Sequence, residues 1–573
     1  MNDGSPSSRA LALRDLVVVT GLVLLVAGYV IAFVDLGSRP EEDAAMLLRY
    51  SRNVSAGYGI VWNEGEHPVD GATDFLFMLG VALAHRLRVS LEGAAQGIGL
   101  AAHLLTAVLV YFGTRRFFAA SWTLALVPSV FFALGPGLRH LAACYATPFF
   151  TLWAAVTWLL ALRLANAEVL RGRDGLIFAF SAFVLGLARP EGVFLGGFML
   201  LAVVAVRQAR ERRGLLASYL AVFLTLGLGY FLWRWRYFGY PLPNPFYAKG
   251  AGVLHWYSFR SAWRDLARLG LPFLVLLPLG LLFPATRRVS WIALVPVVGF
   301  GALWVLISDE ANYVMRLRAP LLPIVLVAWV PVWQALTARL APLPRAVGAL
   351  AGLLVAASGG AWQHAQYHAV LPRRMGLYDA ALVLSQYEAR EFCVATTEAG
   401  LLPLYSRWRA VDAWGLNDQW IAHNGTVTDE YLDRYRPEVI VFHAYFSPGT
   451  PESGPRVENR ALGPRWYRMV MTLKRYAQER GYVRAAVFGR NPFDTHWYFV
   501  RSGFPQSAEI VARLRAVDYW WDGEPTVDFR DGDREPVLPP TRADESEGRT
   551  HADAAVDGQG RAGDPARGGG GEE

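Results

Sequence analysis

Three consecutive carboxylates open the segment PEEDAAMLLRYSRN, residues 40–53: Glu41, Glu42 and Asp43, followed by Arg49 and Arg52. A carboxylate can take the proton from an attacking hydroxyl. A guanidinium can hold a departing phosphate, because its planar fork matches two phosphate oxygens at once. Helical phasing separates the acids. Glu42 and Arg49, seven apart, share a face, whereas Asp43 stands about 100° round, on the side of Leu47 and Tyr50. Ala44, Met46, Leu47 and Leu48 supply an apolar face, so 41–53 reads as a short amphipathic helix lying on a membrane surface, at the level of lipid phosphates. Acids in a first helical turn also complement the helix dipole, and Glu41 is assigned that capping role.

Other polar clusters follow: GYGIVWNEGEHPVDGATDF (57–75), ARPEG (188–192) with Arg189 and Glu191, RYFGYPLPNPFYAKG (236–250) with Asn244, Tyr247 and Lys249, and SDEANYVMRLRAPLLP (308–323) with Glu310 and Arg316. Each alone has a plain structural reading. RPEG makes an interhelical turn, Arg316 and Arg318 snorkel at a helix end, and the aromatic run Trp233–Tyr240 suits a membrane belt. Their common side is what nominates a site, because polar groups at membrane depth are costly unless paired or functional.

The elements that must position these residues are membrane helices. Of 573 residues, 54% are hydrophobic and only 18% charged, and long charge-free runs recur as far as Trp362. A spanning helix needs about 20 apolar residues, and these runs are Leu-, Ala- and Val-rich without the alternation of a barrel. Hydropathy suggests eleven spans, near 14–35, 91–113, 117–136, 140–162, 175–188, 191–206, 215–233, 269–285, 289–307, 318–337 and 345–362. The segment 74–87 has an apolar part of about thirteen residues, or ~20 Å of helix, and is read as interfacial or re-entrant. That places Arg115/Arg116, 163–173, 207–213, Arg287/Arg288 and Arg339 on the side of the basic N-terminus, the cytoplasmic side by the positive-inside rule. The polar clusters and everything after Trp362 then lie outside. Arginine is not rare on that outer side, which is itself consistent with arginines kept there to bind phosphate.

The expected organisation is a membrane module over 1–362, an extracytoplasmic α/β domain over 363–530, with strands in 390–400 and 437–445 and a helix in 507–517, and a disordered tail over 531–573, rich in Gly, Pro and charge. The net charge of +7 is spread through loops and forms no stripe for nucleic acid. The two cysteines, Cys144 and Cys393, fall in different modules, so no disulfide is expected, and no His/Cys spacing marks a metal site. The acids and a bound phosphate could still hold Mg²⁺ or Mn²⁺.

Taken in order, these segments resemble a family. EDAAMLLRYSRNVSAGYGIVWNEGE, VDGATDFLF, RPEG, YGYPLPNPFYAKG, an acid followed by Arg316–Pro320–Pro323, and TEAGLLPLYSRWRAVDAWGLND (397–418) are similar to bacterial GT-C glycosyltransferases, in particular the mycobacterial terminal arabinofuranosyltransferase family. The similarity runs from about 40 to 440. It implies transfer of a sugar, a pentofuranose among the options, from a polyprenyl-phosphate donor to a hydroxyl of a cell-envelope glycan or lipid, outside the bacterial plasma membrane. The acidic pair maps onto Glu42 and Asp43, with Asp43 the base and Glu42 positioning it or the acceptor. Arg49, Arg189, Lys249 and Arg316 become phosphate ligands, and Glu191, Asn244, Tyr247 and Glu310 substrate contacts. The chain departs from the pattern at Glu42, where Asp is usual, at Ala146, where relatives carry Glu, and at Glu310, again for Asp. These departures bear on the sugar and the acceptor geometry. A transporter of a lipid-linked glycan would instead show mid-helix charges and inverted repeats. A non-catalytic scaffold would not need Glu42, Asp43 and Arg49 together.

Overall fold

The computed structural model describes residues 8–249, 252–309, 312–338, 342–370, 376–444, 463–491, 494–517 and 527–528. Glu310 and the expected tail over 531–573 lie outside the described residues.

The chain is a polytopic helical membrane protein. Among the described residues six helices are long and apolar enough to cross a bilayer: Leu13–Phe33, Leu91–Phe118, Trp122–Ala142, Thr147–Asn166, Ala209–Phe238 and Tyr313–Thr337. A seventh is broken, Trp256–Gly270 and Phe273–Leu282 meeting at 105°. Of the other expected spans, 191–206 corresponds to Glu191–Ala205, whose 15 residues cover roughly 22 Å, short of a ~30 Å hydrocarbon layer, whereas 289–307 and 345–362 overlap helices of 20 and 29 residues, Pro284–Leu303 and Pro342–Val370. Hydropathy reads apolar runs, and helices buried against protein are as apolar as helices facing lipid. Trp122–Ala142 illustrates this, with 83% of its apolar window buried inside the protein, against 11% for Ala209–Phe238.

Four N-terminal helices frame the site: α1 (Ser8–Phe33), α2 (Glu42–Ala56), α3 (Phe75–Arg86) and α4 (Leu91–Phe118). Pro40 and the extended Glu41 precede α2, and Gly57, at φ 91°, ends it by turning its N–H back to Asn53 and Val54. The helix α3 has 12 residues and is too short to span, as its length in the sequence suggests. Ser90 starts α4 by accepting the N–H of Gly93, and Arg115 and Arg116 sit in its last turn, where cations complement the dipole.

Beyond the helices lies a six-stranded mixed sheet: β1 (Cys393–Thr396), β2 (Arg409–Asp412), β3 (Val439–Ala444), β4 (Val483–Asn491), β5 (Asp494–Val500) and β6 (Val527–Asp528). Their order is β2-β1-β3-β5-β4-β6; β2, β1 and β3 run parallel and the others pair antiparallel. The two faces of the sheet divide between two cores. Val439 and Val441 of β3, with Tyr498 and Val500 of β5, join Ala44, Leu47, Leu48 and Tyr50 of α2 and Phe77 of α3. Ile440 and Phe442, with Trp497 and Phe499, pack on the far side with the helix Gly463–Glu479. One face of the sheet is therefore seated on the first loop of the helical module.

Candidate active site

Because α2 is clamped between α3 and the sheet, its apolar face does not rest on lipid. Ala44, Leu47 and Leu48 are buried in protein, which corrects the expectation of a helix lying on the membrane surface. The face that Glu42 shares with Arg49 and Arg52 meets the segment after β1. The Glu42 carboxylate accepts the backbone N–H groups of Gly400 and Leu401. Arg52 donates to the carbonyl of Leu404 at 2.8 Å. Arg49 is buried and donates to the carbonyls of Trp62 (2.9 Å), Trp408 (3.0 Å) and Pro403 and to Asn63 Oδ1 (2.9 Å). These acceptors take four of the five guanidinium N–H groups and Arg49 is absent from the wall of the cavity that Asp43 lines, so it is a structural clamp and not the expected phosphate ligand.

Asp43, one residue round the helix, faces elsewhere. With Met46 and Leu47 it lines a cavity of about 600 Å³ whose wall also includes Asp74, Tyr145, Arg189, Glu191, Lys249 and Arg316. Five of the residues singled out in the sequence thus converge: Asp43, Arg189, Glu191, Lys249 and Arg316. Arg316 pairs with Asp43, and its guanidinium lies 4.2 Å from the centre of the Tyr145 ring. Arg189 binds Asp74 at 2.9 Å and Glu191 at 3.3 Å. Leu242, Phe246, Val253, Leu254 and Ile307 line an apolar part of the same cavity. The lining combines charged side chains with aliphatic and aromatic ones, a mix suited to an amphiphile with an ionic head.

Other expected ligands have other tasks. The Asn244 side chain donates to the carbonyls of Gly415 (2.7 Å), Leu416 (3.1 Å) and Asp418 (3.2 Å), fastening the loop 239–249 to the sheet domain. Tyr247 packs against His423, ring centres 4.3 Å apart and planes tilted by 43°, and does not line the cavity. Arg318 does not snorkel: it is fully buried, 2.6 Å from Asp309 and over the Trp304 ring at 3.9 Å. Glu41 occupies the N-cap position of α2 without a side-chain cap; its carboxylate instead pairs with Arg139 at 3.6 Å.

The electrostatics follow from this burial. Glu41 is pushed up to about 7, by burial first, with Arg139 opposing and Asp43 adding to it. Glu42 is held well above the ordinary carboxylate range, by burial and then by the charge of Glu398, against the pull of its two N–H donors. Asp74 is raised by burial, with Arg189 opposing. Asp74 and Tyr145 were not singled out from the sequence. Asp74 carried a signal, as a lone acid opening an apolar helix, whereas Tyr145 has none before the fold brings it to Arg316.

Known proteins resemble this chain in sequence and in fold. A domain of unknown function (DUF8728) matches residues 361–503. The terminal β-(1→2)-arabinofuranosyltransferase of Mycobacterium tuberculosis is 26% identical over 260 residues, 43% of this chain and 41% of the relative. Its counterpart from Corynebacterium glutamicum is 26% identical over 270 residues, 44% of this chain and 38% of the relative. The matches thus span about two fifths of these relatives' length. Among solved structures, ArnT from Cupriavidus metallidurans superposes with a TM-score of 0.55 at 14% identity, over 85% of this chain and 98% of ArnT. This chain has the ArnT fold. The structure of the same enzyme bound to undecaprenyl phosphate gives a TM-score of 0.52 over 87% of this chain. The resemblance read from the motifs, to GT-C glycosyltransferases of the terminal arabinofuranosyltransferase kind, is borne out by these relatives.

Proposed function

We propose that this protein is a membrane glycosyltransferase that moves a sugar from a polyprenyl-phosphate donor to a hydroxyl of a cell-envelope glycan or lipid, on the extracytoplasmic face of a bacterial plasma membrane. The observation that carries the reading is Asp43, paired with Arg316 in a cavity lined also by Arg189, Lys249 and apolar side chains. A lipid phosphate suits such a mixed lining. The undecaprenyl phosphate bound by ArnT and the names of the arabinofuranosyltransferase relatives support the donor class and make a pentofuranose the first sugar to test.

In the proposed reaction Asp43 takes the proton of the acceptor hydroxyl as its oxygen forms a bond to the anomeric carbon. The bond from that carbon to the phosphate oxygen breaks, and the polyprenyl phosphate leaves with the electron pair. A phosphate is a good leaving group and needs no acid. Arg316, Arg189 and Lys249 supply positive charge where the phosphate gains negative charge. Direct displacement inverts the anomeric centre. Glu42 touches only the backbone of 400–401 and serves as the positioning residue for the start of α2.

The test is to incubate membranes carrying the protein with a panel of radiolabelled polyprenyl-phosphate sugars and to identify the one consumed. Asp43→Asn should then lower transfer by about 10²–10⁴-fold, the usual worth of a general base, at unchanged expression. Transfer at the wild-type rate would refute the assignment of the base.

A further inference from the structure

Three titratable side chains outside the cavity meet inside the protein, and no spacing in the sequence announces them. Glu398 lies two residues beyond β1, His443 is on β3 and His496 on β5. In the antiparallel ladder His443 stands directly opposite His496. Alternation puts His443 on the face of Val439 and Val441, and His496 on the face of Tyr498 and Val500, the face seated on α2 and α3. The two rings stack with centres 4.2 Å apart. Glu398 Oε1 lies 3.3 Å from His443 Nδ1 and 3.7 Å from His496 Nε2. One donor atom from each residue falls within 4.8 Å of the others, and all three residues are buried.

We propose that Glu398, His443 and His496 form a site for a divalent transition metal of the Zn²⁺ class. Ligands around a tetrahedral Zn²⁺, each about 2.0–2.2 Å from the ion, stand roughly 3.3–3.5 Å from one another, and the two distances to Glu398 are close to that edge. Two imidazoles and a carboxylate suit Zn²⁺ and its neighbours, whereas Mg²⁺ and Ca²⁺ take oxygen ligands. Three protein ligands leave a fourth position open. The ligand backbones are fastened. The N–H of His443 donates to Thr397 Oγ1 at 2.9 Å, the N–H of Glu398 to Thr396 Oγ1 at 2.9 Å, and Trp466 Nε1 to the carbonyl of His443 at 3.1 Å. The site also lies at the switch point of the parallel strands, between β1 and β3 in the order β2-β1-β3, where open α/β sheets bind their ligands.

Charge and position give the ion a purpose. Glu398 and Glu42 are two buried carboxylates within each other's field. A dication offsets them. It also fixes the turn whose next residues, Gly400 and Leu401, hold Glu42. The metal would thus brace the segment on which the start of α2 rests.

The test uses the full chain in detergent, stripped with chelator, loaded with Zn²⁺, desalted and assayed for bound metal. One Zn²⁺ per chain is expected. His443→Asn and His496→Asn should each weaken it by at least the roughly 10–100-fold that outer-shell changes cost elsewhere. A wild-type chain that retains no Zn²⁺ overturns the proposal, and so does equal retention by both variants. Zinc-edge X-ray absorption on the wild-type holoprotein serves where a variant does not fold. Two imidazole scatterers support the site, and a sulfur or all-oxygen shell overturns it. None of these readouts involves sugar transfer, so the site stands or falls independently of the proposed reaction.

Discussion

Arg316 and Asp43, 273 residues apart in the chain, meet as an ion pair in the wall of the cavity, with the Tyr145 ring beneath the guanidinium. The pair joins the proposed base to a proposed phosphate ligand, so one contact orients both.

Replacing Arg316 tests that pairing. Arg316→Gln removes charge and fork, and Arg316→Lys keeps charge but loses the planar fork. A charge-assisted hydrogen bond contributes about 1.5–3 kcal/mol, so kcat/KM should fall about 10–150-fold in the Gln variant and less in the Lys variant. Equal activity in both variants and wild type would refute the role of Arg316.

Arg49 should behave differently. Its loss removes a donor from four buried acceptors, of which the Trp62 carbonyl keeps Asn53 Nδ2 and Asn63 Oδ1 keeps the Ala410 N–H, while the carbonyls of Pro403 and Trp408 lose theirs. Arg49→Ala should destabilise the fold by about 3 kcal/mol or more, seen as an early thermal transition in detergent. Arg49→Lys should recover little, because one ammonium cannot reach all four. An intact melting transition with a raised KM for donor would restore Arg49 as a substrate ligand.

Gly400 is where the sheet domain comes closest to α2. A Cβ there would collide with the backbone carbonyl of Glu42, lying 2.6 Å from its carbon, and backbone cannot move aside as a side chain can. Gly400→Ala should push the start of α2 away and lower transfer, while Gly97→Ala, in the helical backbone of α4 with nothing within 4 Å of its Cβ, should leave transfer intact. Unchanged transfer in Gly400→Ala would show that the clamp does not govern the site.

Glu41 sets a pH dependence. Its carboxyl is raised from 4.5 to about 7 by burial, against Arg139. Between those values the native protein holds a proton that the unfolded chain has lost, so stability falls as pH rises through the window. At about 1.4 kcal/mol per unit, the loss amounts to about 3 kcal/mol. Glu41→Gln, neutral throughout, should match wild type near pH 5 and be the more stable near pH 8. Parallel melting curves across that range would contradict the assignment.

The parts of the fold that depend on local pattern were legible. Runs of apolar residues mark helices, and the β1 and β3 segments stand out as short apolar strands between turns. The phasing of α2 also holds: Asp43 and Leu47 share the cavity side, and Glu42, Arg49 and Arg52 share the other. What that second face touches in the sheet domain was not legible, because its partners there are backbone groups of 400–408, which carry no side-chain signature. The same limit hid Glu398, His443 and His496. Their closeness comes from strand register across about a hundred residues, and no local spacing encodes it. Counting spans meets a related limit, since apolar runs do not say whether lipid or protein covers them.

The reach of Arg49 to Pro403 has a consequence for how the protein is made. The donor emerges from the ribosome 354 residues before its acceptor. At roughly 5–20 residues per second, α2 waits roughly 20–70 s for the segment that completes its surroundings. During that interval Arg49 can reach only Trp62 and Asn63 of its four acceptors, and Glu42 neither of its two N–H donors. A nascent chain stopped before residue 400 would carry Asp43 but not the bed it lies on.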